Sequence, residues 1–165
     1  MVHFVTGAVN SGKTARMRVI SSHMPGAGGV LSMKVMDGSF VAGYRLECLP
    51  GGESAMLAMR AESFRGQFPE ACRLGPYVFS GEAFALGCRA LLAACADPAA
   101  SAVFLDEAGP LELRGEGFAQ TLPAVLRCGK DVYVAVRDSC VEAFLRIYEV
   151  QEYELIRVDR KPSLI

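Results

Sequence analysis

The sequence predicts an α/β fold, a three-layer sandwich in which helices cover both faces of a mostly parallel sheet. Two runs, Ala102–Leu105 and Val132–Val136, are continuously apolar, as expected for strands that are buried on both faces. Such runs alternate along the chain with helical patterns, and this alternation is typical of a parallel sheet with crossover helices. A glycine-rich loop at residues 7–14 follows the first apolar run. Because ligands of parallel sheets bind at the carboxyl ends of strands, the functional site is expected there.

The predicted elements follow in chain order. Strands are expected near residues 2–6, 102–106, 131–136 and 153–157, and helices near 13–23, 82–96, 115–128 and 139–147. Short apolar runs separated by Asp37-Gly38 and Pro50-Gly51-Gly52 predict an antiparallel meander inserted near residues 30–60. Residues 60–76 are expected to form a mobile connection, and the tail after Arg157 is expected to be irregular.

Length and composition limit the classes of protein to consider. With 165 residues, 52% of them hydrophobic, the chain suits a single domain over residues 1–165. The net charge is −1 and no Lys/Arg cluster is present, which argues against a nucleic-acid partner. No run of about eighteen apolar residues predicts a membrane span. The first strand begins at Val2 and leaves no room for a signal peptide, so a cytoplasmic protein is expected.

The cysteines predict neither a metal site nor a disulfide framework. The six cysteines form no C-x-x-C pair, and the chain has only two histidines. Zinc sites need such ligands at short, regular spacing. We therefore expect reduced cysteines that serve as small core residues.

Residues 7–14 carry the strongest functional signal. They read Gly-Ala-Val-Asn-Ser-Gly-Lys-Thr, which matches the phosphate-binding pattern G-x-x-x-x-G-K-[ST] between a strand and a helix. Glycines let the loop backbone approach a polyphosphate, and the following helix directs its amides at it. Lys13 is predicted to reach the β- and γ-phosphates, and the Thr14 hydroxyl to ligate Mg²⁺. The candidate nucleotide-binding residues are Gly7, Ala8, Val9, Asn10, Ser11, Gly12, Lys13, Thr14 and Ala15.

A second set of candidates follows the buried run Val103-Phe104-Leu105. Asp106 is predicted to hold Mg²⁺ at the strand end, and Glu107 to act as general base for a water that attacks the γ-phosphate. The reaction also needs a cation at the γ-phosphate. Arg137, directly after the run at 131–136, is the preferred residue, with Arg45, Arg65 and Arg73 as alternatives from other segments. Tyr44 or Tyr77 is a candidate for stacking on the base, and either residue also suits the core.

Residues 106–113, Asp-Glu-Ala-Gly-Pro-Leu-Glu-Leu, resemble the Asp-Glu-Ile-Gly-x-Met-Glu-Leu signature of a small nucleoside-triphosphatase family. This family is typified by hyperthermophile enzymes and a human cancer-related nucleoside triphosphatase. Gly43-Tyr44-Arg45-Leu46 and Leu74-Gly75-Pro76-Tyr77-Val78 resemble further family segments in the same order, so the likeness covers roughly residues 1–157. This sequence departs from the family pattern at Pro110, Ala108 and Leu111, and in the loop interior Val9-Asn10-Ser11.

The resemblance implies a RecA-like P-loop NTPase fold and slow, Mg²⁺-dependent hydrolysis of several nucleoside triphosphates. It carries the loop over as the phosphate site, Asp106 as the metal residue and Glu107 as the catalytic acid/base. Glu112 also matches the signature, and we expect it to be structural. Two other hypotheses stay open: a small-molecule kinase, in which residues 60–76 would form a lid, and a nucleotide-dependent switch. No pattern identifies a protein partner.

Overall fold

A single nine-stranded mixed sheet organises the chain in the computed structural model, which describes residues 1–159. The strands are β1 (Val2–Gly7), β2 (Ala27–Asp37), β3 (Phe40–Leu49), β4 (Ser54–Arg60), β5 (Glu70–Leu74), β6 (Tyr77–Ser80), β7 (Ala102–Ala108), β8 (Asp131–Arg137) and β9 (Tyr153–Arg157). The helices are α1 (Lys13–Ser22), α2 (Gly81–Ala96), α3 (Pro110–Leu113), α4 (Leu122–Leu126) and α5 (Val141–Ile147). The strand order is β5-β6-β4-β3-β2-β7-β8-β1-β9.

The sheet has a parallel and an antiparallel half. Strands β2, β7, β8, β1 and β9 pair in parallel, whereas β3, β4, β6 and β5 extend the sheet beyond β2 through antiparallel pairs. The sheet is therefore evenly mixed rather than mostly parallel. The antiparallel meander predicted near 30–60 is present as β2, β3 and β4. It is attached to the parallel half through β2, whose residues 27–30 pair in parallel with β7.

Residues 60–76 differ from the predicted mobile connection, because residues 70–74 form β5 and pair with β6. The side chains of residues 71–74 alternate: Ala71 and Arg73 are exposed, whereas Cys72 and Leu74 pack against the core. This alternation is the signature of a half-buried strand. A run of five residues with two charged side chains is too short and too polar for its sequence alone to predict a strand.

Helices cover both faces of the sheet, as predicted. Along β7, Val103 and Leu105 pack in the larger core cluster with α2 and α5, whereas Ala102 and Phe104 pack in a second cluster with Met17 of α1. All four β7 side chains are fully buried. Alternate residues of one strand thus serve two cores, which explains why the run is continuously apolar.

Two further expectations have clear outcomes. The helix predicted at 115–128 is reduced to α4, because Gly115 and Gly117 adopt positive φ angles (83° and 62°) that an α-helix does not accommodate. All six cysteines are free thiols. Across residues 1–159, the helices are too short or too polar to span a membrane. The predicted irregular tail falls largely on residues 160–165, which lie outside the described residues.

Candidate active site

The loop between β1 and α1 is closed by its own backbone. The Ser11 amide donates to the Ala8 carbonyl at 3.1 Å, and Gly12 has a φ of 99°, a left-handed angle that suits glycine, just before the helix begins. At Gly7 the requirement is space, because an added Cβ would stand 2.6 Å from both Ser11 Oγ and the Val158 carbonyl oxygen. The loop thus presents the amino end of α1 toward an open groove of about 260 Å³, which residues 10–15 line together with Lys34 and Glu107.

Lys13 lies across this loop. Its Nζ donates to the carbonyl oxygens of Gly7 (3.1 Å) and Ala8 (2.9 Å), and the residue is only 7% exposed. Burial lowers the pKa of Lys13, while the carboxylates of Glu107 and Asp106 oppose that shift. A buried ammonium beside free amides and the positive end of a helix forms an anion site.

Asp106 is the last residue of the continuous buried run at 102–106 of β7 and is 1% exposed. Its Oδ2 accepts a hydrogen bond from the Ser32 amide at 3.1 Å, whereas Oδ1 has no hydrogen-bond partner within residues 1–159. Burial, and then the charge of Glu107, raise the pKa of Asp106 to about 7, and the Thr14 hydroxyl and two backbone amides act in the opposite direction. A divalent cation would favour the ionised form of this carboxylate, and Oδ1 is the free oxygen that could bind it. Thr14 and Asp106 therefore fit a Mg²⁺ site whose remaining ligands come from phosphate and water.

Glu107 is turned out of the strand by a β-bulge. Leu105 pairs with Val134 and Ala108 with Val136, so β7 contains one residue more than β8 across this stretch. Glu107 has a φ of 63° and is exposed, while Asp106 and Ala108 on either side are buried. Bulges commonly redirect a side chain in this way. Glu107 consequently lies between the groove at the loop and a neighbouring cavity, and it lines both.

Glu112 closes the turn that follows the bulge. Its Oε2 accepts from the Gly109 amide (2.8 Å) and its Oε1 from the Phe118 amide (3.1 Å). The Tyr148 hydroxyl donates to the Glu112 carbonyl at 2.8 Å. The carboxylate is 3% exposed and its contacts are with backbone amides of the turn. These contacts support the structural role expected of this residue.

The neighbouring cavity has a volume of about 310 Å³ and is lined at one end by Lys13, Asp106, Glu107 and Arg137. Arg137 reaches this place because it ends β8 in register with Gly7 of β1. The other arginines considered do not line the cavity. Arg65 donates to the carbonyls of Glu62 and Phe64, Arg73 pairs with Glu70, and Arg45 is exposed on β3.

Tyr44 and Tyr77 also line this cavity rather than the groove at the loop. Their rings meet edge to face with centroids 5.3 Å apart. Burial, followed by the charge of Glu107, raises the pKa of Tyr44 to about 12, so its hydroxyl is protonated at neutral pH. The two tyrosines therefore lie near Glu107, the proposed general base, in the same cavity.

Sequence reasoning missed two polar residues of β2. Ser32 binds Asp106 through its amide, and Lys34 Nζ donates to Asn10 Oδ1 in the loop at 2.8 Å. Neither residue belongs to a recognisable motif. They could have been found only from the pairing of β2 with β7. This pairing aligns Val30 with Leu105 and therefore places Ser32 beside Asp106 and Glu107.

The chain matches the model of a family described as NTPase over residues 2–162. The nucleoside-triphosphatase THEP1 of Pyrococcus abyssi is 27% identical over 149 residues, which cover 87% of this chain and 78% of that protein. THEP1 from the hyperthermophile Aquifex aeolicus superposes with a TM-score of 0.73 at 18% identity and covers 96% of this chain and 90% of its own. A human cancer-related nucleoside triphosphatase gives a TM-score of 0.66 at 19% identity, covering 98% and 89%. The likeness to these two structures shows a shared fold, and the matched model shows that the chain belongs to the NTPase family and is a nucleoside-triphosphate phosphohydrolase.

Proposed function

We propose that this chain hydrolyses nucleoside 5'-triphosphates, ATP and GTP among them, to the diphosphate and phosphate in a slow, Mg²⁺-dependent reaction with broad base specificity. The observation that carries the proposal is the convergence of Lys13, Asp106, Glu107 and Arg137 at one end of the phosphate loop. These four residues come from the loop and from two adjacent parallel strands. The RecA-like arrangement implied by the family resemblance is part of this proposal.

We assign each residue a role that its position supports. The loop amides and Lys13 bind the phosphates, and Arg137 neutralises charge that develops on the γ-phosphate. Thr14 and Asp106 would hold Mg²⁺, which when bound offsets the negative charge of the β- and γ-phosphates. Glu107 is exposed to the groove and accepts a proton from the attacking water. None of these roles involves a contact with the nucleobase, and this supports broad base specificity.

The test is phosphate release from ATP, GTP, CTP and UTP with Mg²⁺. Glu107→Gln should lower the rate about 10²- to 10⁴-fold and retain nucleotide binding, because a general base is lost. Lys13→Ala should abolish tight binding, since the buried ammonium of the loop is removed. Arg137→Ala should lower the rate about 10²- to 10³-fold, the usual loss for one charge-stabilising group. EDTA should stop release in the wild type.

Glu142→Gln is the matched control, because Glu142 is an exposed carboxylate on α5 that lines neither the groove at the loop nor the neighbouring cavity. It should behave as the wild type. Unchanged turnover in Glu107→Gln would exclude this carboxylate as the base. Binding without phosphate release in the wild type would shift the assignment to a kinase without its acceptor or to a switch.

A further inference from the structure

The cavity beside Glu107 is far larger than hydrolysis requires. An attacking water occupies about 30 Å³ of the liquid, whereas this cavity measures about 310 Å³. It extends from the reaction centre to the antiparallel half of the sheet. There its lining is largely apolar and includes Leu57, Leu74, Phe79, Phe84 and Phe118.

The apolar end is built from interlocking rings. Phe79 and Phe84 stack at 5.8 Å, and Phe84 meets Phe118 edge to face at 5.2 Å. Tyr44 and Tyr77 form a second edge-to-face pair in the lining. Faces and edges of aromatic rings favour planar, ring-bearing ligands over flexible aliphatic ones. The size and the walls of the cavity together suit one small ring system.

The polar end contains a buried hydroxyl without a hydrogen-bond partner, in addition to the Asp106 oxygen assigned to Mg²⁺. Ser32 lines the cavity and is 2% exposed, and its Oγ is buried without a hydrogen-bond partner within residues 1–159. Leaving a buried polar group unsatisfied costs about 1–3 kcal/mol. A ligand that brings a hydroxyl to this end would remove the cost at Ser32 and would place its oxygen beside Glu107. Ring-binding walls and an unsatisfied polar end are the two features of a built ligand site.

We propose that the cavity binds a small ring-bearing alcohol, and that its hydroxyl accepts the γ-phosphoryl group in place of water. This proposal rests on the proposed function of the loop. The alcohol oxygen forms a bond to the γ-phosphorus while the bond from that phosphorus to the β,γ-bridging oxygen breaks. The hydroxyl proton passes to the Glu107 carboxylate. The products are a phosphate monoester and the nucleoside diphosphate, and hydrolysis is the reaction that remains when water alone occupies the cavity.

The probe is benzyl alcohol, a single ring that carries one hydroxyl. Its binding is measured by saturation-transfer NMR on the full chain, with and without the Mg²⁺ complex of a non-hydrolysable ATP analogue. Transfer is measured with ATP and Mg²⁺ by the ³¹P signal of benzyl phosphate. Leu74→Trp fills the apolar end, with Leu74→Phe as the smaller change. Leu92→Trp is the matched control, because Leu92 is 45% exposed and does not line the cavity. Thermal unfolding and analogue binding identify any variant that fails to fold.

We expect saturable binding to the wild type and to Leu92→Trp, unaffected by the analogue, together with benzyl phosphate formation. Leu74→Trp should bind at least about tenfold more weakly, which corresponds to about 1.4 kcal/mol. Displacement of the probe by the analogue would overturn the proposal, because the cavity would then hold the nucleotide itself. No probe binding, or binding with phosphate release but no benzyl phosphate, would also overturn it. If phosphate is released but no benzyl phosphate forms, the proposed hydrolysis still holds. If neither phosphate nor benzyl phosphate forms, the proposed function itself is refuted.

Discussion

At the scale of single residues, the acidic signature separates into three carboxylates with three environments. Asp106 is buried beside Thr14, Glu107 is exposed with a positive φ, and Glu112 is buried against two backbone amides. A non-glycine residue at positive φ is unusual and costs of order 1 kcal/mol or more. The surrounding strand pairs and the Glu112 hydrogen bonds hold Glu107 in this conformation. The buried Glu112 thereby supports the exposed Glu107.

Glu112 should make stability depend on pH. Burial is the largest influence on this carboxyl, and it raises the pKa to about 7 from the ordinary 4.5. The native state therefore holds this proton more tightly than the unfolded state. The stabilisation is fully present below about pH 4.5 and is lost as the pH rises through about 7. The shift corresponds to a contribution on the order of 3 kcal/mol.

Urea unfolding of the wild type and of Glu112→Gln at pH 5 and pH 8 measures this contribution. The variant should lose less unfolding free energy between the two pH values than the wild type, because glutamine does not titrate. Glu142→Gln, at an exposed site, should keep the wild-type difference. Equal differences in the wild type and Glu112→Gln would show that this carboxyl is ionised in the native state throughout the range.

At the scale of elements, α2 was predictable and α4 was not, for a local reason. Ser80 ends β6 and caps α2 by accepting a hydrogen bond from the Ala83 amide at 3.2 Å. The helix then presents Phe84, Leu91 and Ala94 to the core at helical spacing. The stretch before α4 has two glycines at positive φ and turns instead. The path of this stretch is fixed by the hydrogen bond from the Phe118 amide to the Glu112 carboxylate. Helical periodicity does not reveal this contact.

Loss of the α2 cap should destabilise the protein without changing its fold. Ser80→Ala removes the acceptor for the Ala83 amide at a residue that is 2% exposed. We expect a loss of about 0.5–2 kcal/mol in the free energy of unfolding. Urea titration gives this value, provided that the denaturant slope is unchanged. Ser80→Thr keeps a capping hydroxyl and should lose less. If both variants lose the same free energy, packing at this position outweighs the cap.

At the scale of the whole molecule, the candidate site joins elements that are remote in the chain. The loop follows β1, the acidic pair lies on β7, Arg137 ends β8, and Ser32 lies on β2. These four strands are neighbours in the parallel half of the sheet. A ligand that contacts all of them should stabilise the entire fold, because it binds the native state alone.

Nucleotide should therefore raise the unfolding temperature. At a free concentration of about 100 times Kd, a non-hydrolysable ATP analogue with Mg²⁺ adds about 2.7 kcal/mol of stability. For a chain of this size that corresponds to a shift of roughly 5–10 °C. Differential scanning calorimetry measures the shift. Replacement of Mg²⁺ by EDTA should reduce it, and Lys13→Ala should nearly remove it. An equal shift in Lys13→Ala would place nucleotide binding away from the loop.

The sequence by itself determined the features that depend on residues adjacent in the chain. The loop at 7–14, the two-sided burial of β7 and β8, and the family signature are local patterns, and each predicted its element and the end of the sheet where the site lies. Tertiary structure alone decided the evenly mixed sheet, the bulge that turns Glu107 outward, the unsatisfied Ser32 hydroxyl and the aromatic cavity. These features arise from pairing between distant strands and from packing across them. A strand's own side chains show which faces are buried, but they do not show which strand lies beside it.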